Sequence, residues 1–282
     1  MAKPLNIAHR GGALLWPENT LFAFVSAAGS GFDGAELDIQ LTRDGKLVAV
    51  HDFRLKPELC RDSPGRWLSR RRALPLIRDL TLAEIKMLDV GRPKPGTLYA
   101  RRHRKLIARD GEPMPTLGEI IAGVRAAKED FRLFIEIKTS AEDRSLSASP
   151  EAVAEAVVAE LRATRFLQQA VLVGFDWRAL IHARALAPDL ECWFTTERGS
   201  RIGAGPIQAA GGKGWFCPLN RVSAAAVRNA RARGLAFGVW TVNEARDMGA
   251  LIGLGVDAIC TDRPDRLQAV LGYSPSNSAV ER

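Results

Sequence analysis

Two acidic residues, Glu36 and Asp38, lie two positions apart in a stretch that is otherwise mostly apolar. Because side chains alternate across a β-strand, both carboxylates project from one face and Leu37 projects from the other. Two carboxylates in a low-dielectric site are costly unless a cation, a partner or a proton offsets their repulsion. The pattern therefore indicates an ionic site, and a strand with one solvated face is the simpler alternative.

A third acidic residue, Glu136, lies in the apolar stretch FRLFIEIK at positions 131–138. Lys138 shares its face of this predicted strand by the same alternation. Glu36, Asp38 and Glu136 offer only oxygen ligands, which suit Mg²⁺ or Ca²⁺ and leave positions for water and substrate. A salt-bridge network of these carboxylates with Lys138 and Arg10 is the structural alternative.

Two histidines follow short apolar runs, His9 after the first such run and His51 after the third. A pair of imidazoles that titrate near neutral pH suits a general acid and a general base. They could instead add nitrogen ligands for Mn or Zn, and either one alone could be a packed core histidine. Arg10 and Lys138 carry cations that suit phosphate oxygens.

Apolar strands alternate with helical patterns along the chain, which is typical of parallel α/β architecture. We find nine candidate strands for eight places, and 215–219 is the weakest of them. The stretch 34–52 holds two of them, either as two strands or as an extended hairpin with a turn at 43–45. The count predicts a (β/α)8 TIM-type barrel, whereas a doubly wound sheet would need a glycine-rich dinucleotide motif that the sequence lacks. The carboxyl ends of barrel strands meet at one mouth. Polar or aromatic residues are predicted to lie there: His9, Glu36, Asp38, His51, Glu136, Lys138, Trp240 and, after the last strand, Asp262.

The segment 53–113 interrupts this alternation after the third predicted strand and is rich in proline, glycine and arginine. It holds sixteen basic and seven acidic residues, a net charge of +9, whereas the rest of the chain carries −1. We expect one barrel domain, residues 1–272, with this basic insertion at its mouth, and a disordered tail at 273–282. A rim that attracts anionic substrates, a nucleic-acid-binding surface and an ordinary solvated surface each explain the charge.

The composition, 46% apolar and 26% charged, is that of a soluble globular protein. No apolar run is long enough to cross a bilayer, and the N-terminal residues lack the apolar core of a signal peptide. We therefore expect a cytoplasmic location. The four cysteines are scattered without a CxxC pair, which predicts reduced structural thiols rather than a zinc site.

Six sequence blocks occur in one order from His9 to Pro264: HRGG…PENT, ELD…TRDGKLVAVHD, PTLGE, EIK, VWTVN and GVDAICTDRP. In this order they closely resemble the glycerophosphodiester phosphodiesterase family, and the resemblance covers nearly the entire chain. It implies a TIM-type barrel that uses a divalent metal to hydrolyse glycerophosphodiesters to glycerol 3-phosphate and an alcohol. It also implies a small-molecule substrate and no nucleic-acid partner.

The resemblance also implies roles for individual residues. It implies that His9 and His51 are the acid/base pair, that Glu36, Asp38 and Glu136 are metal ligands, that Arg10 and Lys138 are phosphate-side cations, that Trp240 borders the glycerol, and that Glu18 and Asn19 fix a loop or support the site. The fifth strand departs from the family, which often has Ser-Phe where this chain has Gly174-Phe175. One hydroxyl contact to substrate is therefore missing here.

Two other functions compete with this one. A relative of the same fold could act on lysophospholipids at a membrane surface, which would need an apolar groove supplied by residues such as Trp67, Leu74, Leu76 and Ile77. A non-catalytic barrel could instead bind anions or nucleic acid through the basic insertion. The His9 and His51 pair disfavours that function, since binding alone needs no acid/base pair.

Overall fold

Eight parallel strands close into a barrel in the computed structural model, as the alternating pattern predicted. The structure describes residues 3–63, 65–69, 73–197 and 199–272, so the predicted tail at 273–282 lies outside the described residues. The ring closes because β1 (Leu5–Ala8) pairs in parallel with both β2 (Gly34–Leu41) and β9 (Ala258–Thr261).

The remaining elements follow the predicted alternation. The other strands are β3 (Leu47–Ala49), β4 (Arg132–Ile137), β5 (Ala170–Gly174), β6 (Glu191–Thr195), β7 (Gly214–Pro218) and β8 (Ala236–Trp240). The helices are α1 (Leu21–Gly29), α2 (Leu82–Lys86), α3 (Leu98–Arg102), α4 (Leu117–Ala127), α5 (Pro150–Ala163), α6 (Trp177–Leu186), α7 (Ala204–Ala209), α8 (Ala224–Ala232), α9 (Ala245–Leu254) and α10 (Pro264–Val270). Thr81 and Thr116 each form a capping box, with Glu84 and Glu119, at the start of α2 and α4.

The additional ninth strand is β3 rather than β7. The weakest candidate, 215–219, overlaps β7, which takes a full place in the barrel between β6 and β8. β3 instead pairs antiparallel with the last residues of β2, Ile39 opposite Ala49, after the hairpin turn at Gly45. The third barrel strand is therefore β4, and the third predicted strand lies outside the ring.

This hairpin still delivers His51 to the mouth. The Val50 amide donates to the Asp38 carbonyl over 2.9 Å, so the chain leaves β3 at the level of Asp38. The insertion therefore begins beside the carboxyl ends of β2 and β4, although it does not follow a barrel strand. The prediction that His51 ends a barrel strand is therefore wrong, because β3 lies outside the ring.

Large side chains fill the lower interior of the barrel. Phe134, Trp193 and Phe216 pack there with smaller apolar residues, and Trp193 meets Phe134 edge to face at 5.2 Å. The Trp193 indole donates to Glu191, which also pairs with Arg132 near the amino ends of the strands. A packed floor leaves the carboxyl ends as the place where polar groups gather.

The insertion has a small core of its own. Its buried members include Leu55, Cys60, Ile77 and Ile85, which pack with Val48 of β3. Arg61 joins Asp89 and Asp110 in ion pairs that tie separate parts of the segment together: Arg61 Nη2 lies 2.5 Å from Asp89 Oδ2, and it also bonds Asp110. The segment is thus a folded layer on the barrel. Arg70, Arg71 and Arg72, part of its predicted positive charge, lie outside the described residues.

Within the described residues, no helix combines the length and apolarity required to span a bilayer. The four cysteines, Cys60, Cys192, Cys217 and Cys260, are free and buried. Burial raises the pKa of Cys60 and Cys192 to about 12, so both thiols stay protonated at neutral pH. Buried, protonated thiols are consistent with the prediction of reduced structural cysteines.

Candidate active site

The predicted site residues meet at the carboxyl ends of the barrel strands. His9 begins a one-turn helix directly after β1, Glu36 and Asp38 lie on β2, and Glu136 lies on β4. Parallel pairing sets Asp38 opposite Glu136, so the two strands present their carboxylates side by side. The same spacing that puts Glu36 and Asp38 on one face of β2 therefore points both into the mouth.

The three carboxylates form a cluster whose ligand atoms all lie within 4.8 Å of one another. Glu36 is 2% exposed and Asp38 is 1% exposed, and the side chain of Glu136 is 13% exposed. Three oxygen donors at this separation fit a hard divalent cation. The sequence predicted these same three residues as metal ligands.

Two cations flank the cluster. Lys138 Nζ lies 2.8 Å from Glu136 Oε1 and 3.6 Å from Asp38 Oδ1. Arg10 Nε lies 3.2 Å from Asp38 Oδ2, close enough for an ion pair, and has no hydrogen-bond partner among the described residues although it is buried. The ionic network that the sequence offered as an alternative is therefore present together with the cluster. Two cations face three carboxylates, so negative charge remains in excess.

The excess falls on Glu36. Burial raises the pKa of the Glu36 carboxyl to about 8, and the neighbouring Asp38 and Glu136 act in the same direction, against His9 and Arg10. Burial would also raise the pKa of Asp38, but Arg10 and Lys138 outweigh it and hold this pKa below its usual range. A divalent cation would supply the missing positive charge.

His9 is fixed by a carboxylate at the other end of the chain. Its Nδ1 lies 2.6 Å from Asp262 Oδ1, and its Nε2 lies 3.8 Å from Glu36 Oε2. Asn243 holds Asp262 in place, since its Nδ2 donates to Asp262 Oδ2 over 2.7 Å and its Oδ1 accepts from the Asp262 amide. Burial alone would raise the pKa of Asp262, but His9 and Asn243 lower it to about 2.

An ionised carboxylate only accepts hydrogen bonds, so His9 Nδ1 must carry the proton that it shares with Asp262. Nε2, on the Glu36 side of the ring, is then the nitrogen that Asp262 does not contact. Burial lowers the pKa of His9, but the charge and hydrogen bond of Asp262 reverse this and leave it above the ordinary value. The sequence predicted that Asp262 follows the last strand, but it indicated no role for this residue.

His51 is more open than His9. Its side chain is 32% exposed, and Nδ1, which is buried, lies 3.4 Å from Asp52 Oδ2 without a hydrogen-bond partner among the described residues. Lys56 Nζ pairs with Asp52 Oδ2 at 2.5 Å. Burial would raise the pKa of Asp52, but His51 and Lys56 outweigh this effect and lower that pKa to about 2. His51 lines a pocket with Glu18 and Asn19 between the barrel mouth and the insertion.

Trp240 ends β8 on the far side of the mouth. Its indole donates to the Phe216 carbonyl over 3.2 Å and meets the Phe175 ring edge to face, with 5.4 Å between centroids. Lys138 Nζ lies 6.0 Å from the same Phe175 ring. Phe175 therefore joins Trp240 to the Lys138 side of the site. The Gly174 amide donates to Thr195 Oγ1 at the position of the missing serine.

Glu18 and Asn19 brace the site from the loop after β1. Asn19 Nδ2 donates to Asp38 Oδ2 over 2.9 Å, and its Oδ1 accepts from the Asp38 amide. Glu18 Oε1 accepts from Arg10 Nη1 at 2.9 Å, and the hydroxyl of Tyr99 in the insertion donates to its other oxygen. Sequence patterns could not show the Tyr99 contact, because the insertion matched none of the recognised blocks.

The sequence and structure were compared with known proteins. The model of the glycerophosphoryl diester phosphodiesterase family matches residues 9–266. A glycerophosphodiester phosphodiesterase of Caldanaerobacter subterraneus subsp. tengcongensis is 30% identical over 276 residues, which cover 94% of this chain and 96% of the relative. Another, from Bacillus subtilis, is 28% identical, with 94% of this chain and 86% of the relative covered.

Solved structures agree with the sequence relatives. A proposed glycerophosphoryl diester phosphodiesterase of Silicibacter pomeroyi superposes with a TM-score of 0.88 at 31% identity and covers 98% of this chain and 97% of that one. An Oleispira antarctica phosphodiesterase, solved with its product sn-glycerol-3-phosphate, has a TM-score of 0.75 at 24% identity over 96% of this chain and 97% of that one. On this evidence the chain belongs to the glycerophosphoryl diester phosphodiesterase family and is an enzyme of that class.

Proposed function

We propose that this enzyme uses a divalent metal ion and a histidine pair to hydrolyse glycerophosphodiesters to glycerol 3-phosphate and an alcohol. The observation that carries the proposal is the carboxylate cluster, three buried or half-buried oxygen donors within 4.8 Å, with His9 Nε2 at 3.8 Å from Glu36. Carboxylates alone would suit a structural cation. The adjacent imidazole adds a group that can move a proton where the ion binds.

Glu36, Asp38 and Glu136 would hold the metal, and oxygen-only donors favour Mg²⁺ or Ca²⁺. When bound, such an ion polarises a phosphoryl oxygen and offsets the negative charge that builds up during phosphoryl transfer. Burial and the neighbouring carboxylates raise the pKa of Glu36, and a bound cation would stabilise its ionised form, which is consistent with this role.

Arg10 and Lys138 would orient the phosphate. Both stay positively charged, because the nearby carboxylates raise their pKa values against the effect of burial. Arg10 Nε is buried without a hydrogen-bond partner among the described residues. A phosphate oxygen could therefore accept a hydrogen bond from Nε without displacing another hydrogen bond. Trp240 would border the glycerol through the exposed part of its ring, since its indole nitrogen already donates to Phe216.

His9 and His51 would exchange the protons of the reaction. The nucleophile is the glycerol hydroxyl next to the phosphoester or a water molecule, and its attack on phosphorus breaks the bond to the departing alcohol. One imidazole would take the proton of this nucleophile, and the other would give one to the oxygen of the departing alcohol. If the glycerol hydroxyl attacks, water then opens the cyclic phosphate to glycerol 3-phosphate. His9 would act through Nε2, since Asp262 holds the proton on Nδ1. His51 borders the pocket beneath the insertion, which places it beside space for an alcohol group.

The test is release of glycerol 3-phosphate from a panel of glycerophosphodiesters and lysophospholipids. Stripping divalent ions should abolish turnover, and Mg²⁺ or Ca²⁺ should restore it. Glu36→Gln should weaken metal binding, measured by elemental analysis of dialysed protein, and keep the fold. Full activity in excess chelator, with no metal bound, would contradict the proposal.

The two competing functions receive less support. Leu76 and Ile77, offered as walls of an apolar groove for lysophospholipids, are 7% and 0% exposed, and Ile77 packs in the insertion's own core. Two insertion arginines, Arg61 and Arg92, are paired with Asp89 and Asp110 rather than free for nucleic acid. We propose a cytoplasmic location, in keeping with four free buried thiols.

A further inference from the structure

One side chain of the insertion reaches the active site through a chain of polar contacts. Tyr99 lies on α3, and its hydroxyl donates to Glu18 Oε2 at 2.5 Å, across 81 positions of sequence. The Tyr99 ring lines the same pocket as Glu18 and His51. The insertion therefore contacts the site through a neutral donor as well as through its positive charges.

The Tyr99 ring is held on its own side. The His103 ring stacks against it with centroids 3.8 Å apart and an interplanar angle of 13°. His103 Nδ1 also lies 2.8 Å from the Tyr99 carbonyl, so both rings keep a fixed relation to α3. A ring restrained in this way directs its hydroxyl at one place, which is Glu18 Oε2.

Glu18 passes this restraint to Arg10. Its side chain is 9% exposed, and its two oxygens face different partners, Tyr99 on one side and Arg10 Nη1 on the other. Arg10 in turn lies 3.2 Å from Asp38, and its amide donates to Glu36 Oε2. Removing the phenol hydroxyl would leave one oxygen of a buried carboxylate unpaired and free to turn, and Arg10 would lose a fixed anchor.

From these contacts we propose that Tyr99 is a positioning residue, whose hydroxyl orients Glu18 and, through it, the Arg10 guanidinium for the substrate's phosphate. The inference rests on the proposed function, because it assumes that Arg10 binds that phosphate. A group that binds phosphate before and during the reaction changes KM more than kcat. Simple attachment of the insertion to the barrel would instead change stability alone.

The experiment compares wild type with Tyr99→Phe, which keeps the ring and its stack and removes only the hydroxyl. We measure kcat and KM for the best substrate of the panel, and competitive inhibition by inorganic phosphate. KM and the phosphate inhibition constant should both rise about tenfold, the usual order for losing one hydrogen bond to a charged group. The value of kcat should change by less than about threefold.

Two further variants separate positioning from loosening. Glu18→Gln should reproduce the weaker phosphate binding, and Tyr99→Phe should add less than about twofold in that background, since both act on one contact. Arg61→Gln breaks the ion pairs with Asp89 and Asp110 inside the insertion and serves as the stability control. It should lower the Tm and leave KM unchanged.

Distinct results would overturn the inference. Tyr99→Phe with unchanged KM and phosphate inhibition would show that the hydroxyl only attaches the insertion. An equal rise in KM from Arg61→Gln would show general loosening instead of positioning. A wild-type enzyme that neither cleaves the diesters nor is inhibited by phosphate would overturn the proposed function itself, and this inference with it.

Discussion

His9 Nδ1 lies 2.6 Å from Asp262 Oδ1, although 253 positions separate the two residues in sequence. The contact follows from closure of the barrel, because β1 and β9 pair in parallel with Ala8 opposite Thr261. The residue after each strand then arrives at the same point of the mouth. The ends of the first and last strands thus together form the His9–Asp262 pair.

Asp262→Asn tests this relationship. The amide can no longer hold the imidazole through an ionised acceptor, so His9 should lose both its orientation and its preferred tautomer. We expect kcat to fall by about tenfold or more, but by less than on removing His9 itself. Asp265→Asn, which disturbs only a surface pair with Arg263, is the control. Full activity of Asp262→Asn would show that His9 needs no carboxylate.

The histidines themselves should matter more. His9→Ala and His51→Ala should each lower kcat by roughly 10²–10⁴-fold, the usual contribution of a general acid or base. The double variant should lose less than the product of the two, if they act as one unit. Metal content is measured alongside the kinetics and should stay near that of wild type. Loss of the metal from either single variant would make that histidine a ligand.

Much of the site follows from strand periodicity. Glu36 and Asp38 share a face because side chains alternate, and Glu136 joins them because β4 pairs with β2 in register. Local pattern thus predicts each carboxylate, and the barrel closure brings them together. The strand assignment failed at β3 because Leu47, Val48 and Ala49 are as apolar and buried as a barrel strand. The alternative of an extended hairpin over 34–52 is the correct one, since the chain turns at Gly45 and β3 pairs back on β2. Hydrophobic pattern alone does not choose between a hairpin and a further barrel strand.

Contacts between distant segments were not predictable from the sequence. Tyr99 meets Glu18 only because the insertion folds back over the mouth, and the insertion has neither regular period nor recognised motif. Asn243 likewise joins Asp262 through a loop after β8. Such contacts depend on tertiary packing, whereas the sequence pattern carries information mainly about neighbours along one element.

The basic insertion should attract the anionic substrate. Arg101 and Arg102 are exposed on the helix that carries Tyr99, so their charge lies beside the mouth, and Arg104 is exposed just after it. Salt screens such charges over about 10 Å at 0.1 M. We expect kcat/KM to fall with ionic strength while kcat hardly changes. Replacing all three arginines with Gln should reproduce the loss at low salt and flatten the salt dependence.

A matched triple variant on the other helices and loops provides the control for that charge change. Lys213, Arg228 and Arg233 are exposed and lie outside the insertion, and their replacement with Gln removes the same charge. It should leave the salt dependence unchanged, because only charge near the entrance raises local substrate concentration. Weaker binding to anionic vesicles, with normal hydrolysis of soluble substrate, would instead indicate a membrane role. If both triple variants had equal kinetics at every salt concentration, the insertion arginines would not attract the substrate.

Gly238 tests how tightly the barrel floor is packed. A Cβ at this position would lie 2.7 Å from Trp193 and 2.8 Å from Phe216. The Trp193 ring cannot shift easily, because its indole nitrogen donates a hydrogen bond to Glu191 Oε1 over 2.7 Å. Gly238→Ala should therefore lower the free energy of unfolding by about 1–3 kcal/mol, the usual cost of overpacking, measured by urea denaturation. Gly249→Ala is the control, since Gly249 lies in α9 with open space around its Cβ position, and there alanine should raise stability by about 0.5–1 kcal/mol. A Gly238→Ala variant as stable as wild type would mean that Trp193 and Phe216 can shift, and that the floor is looser than these distances indicate.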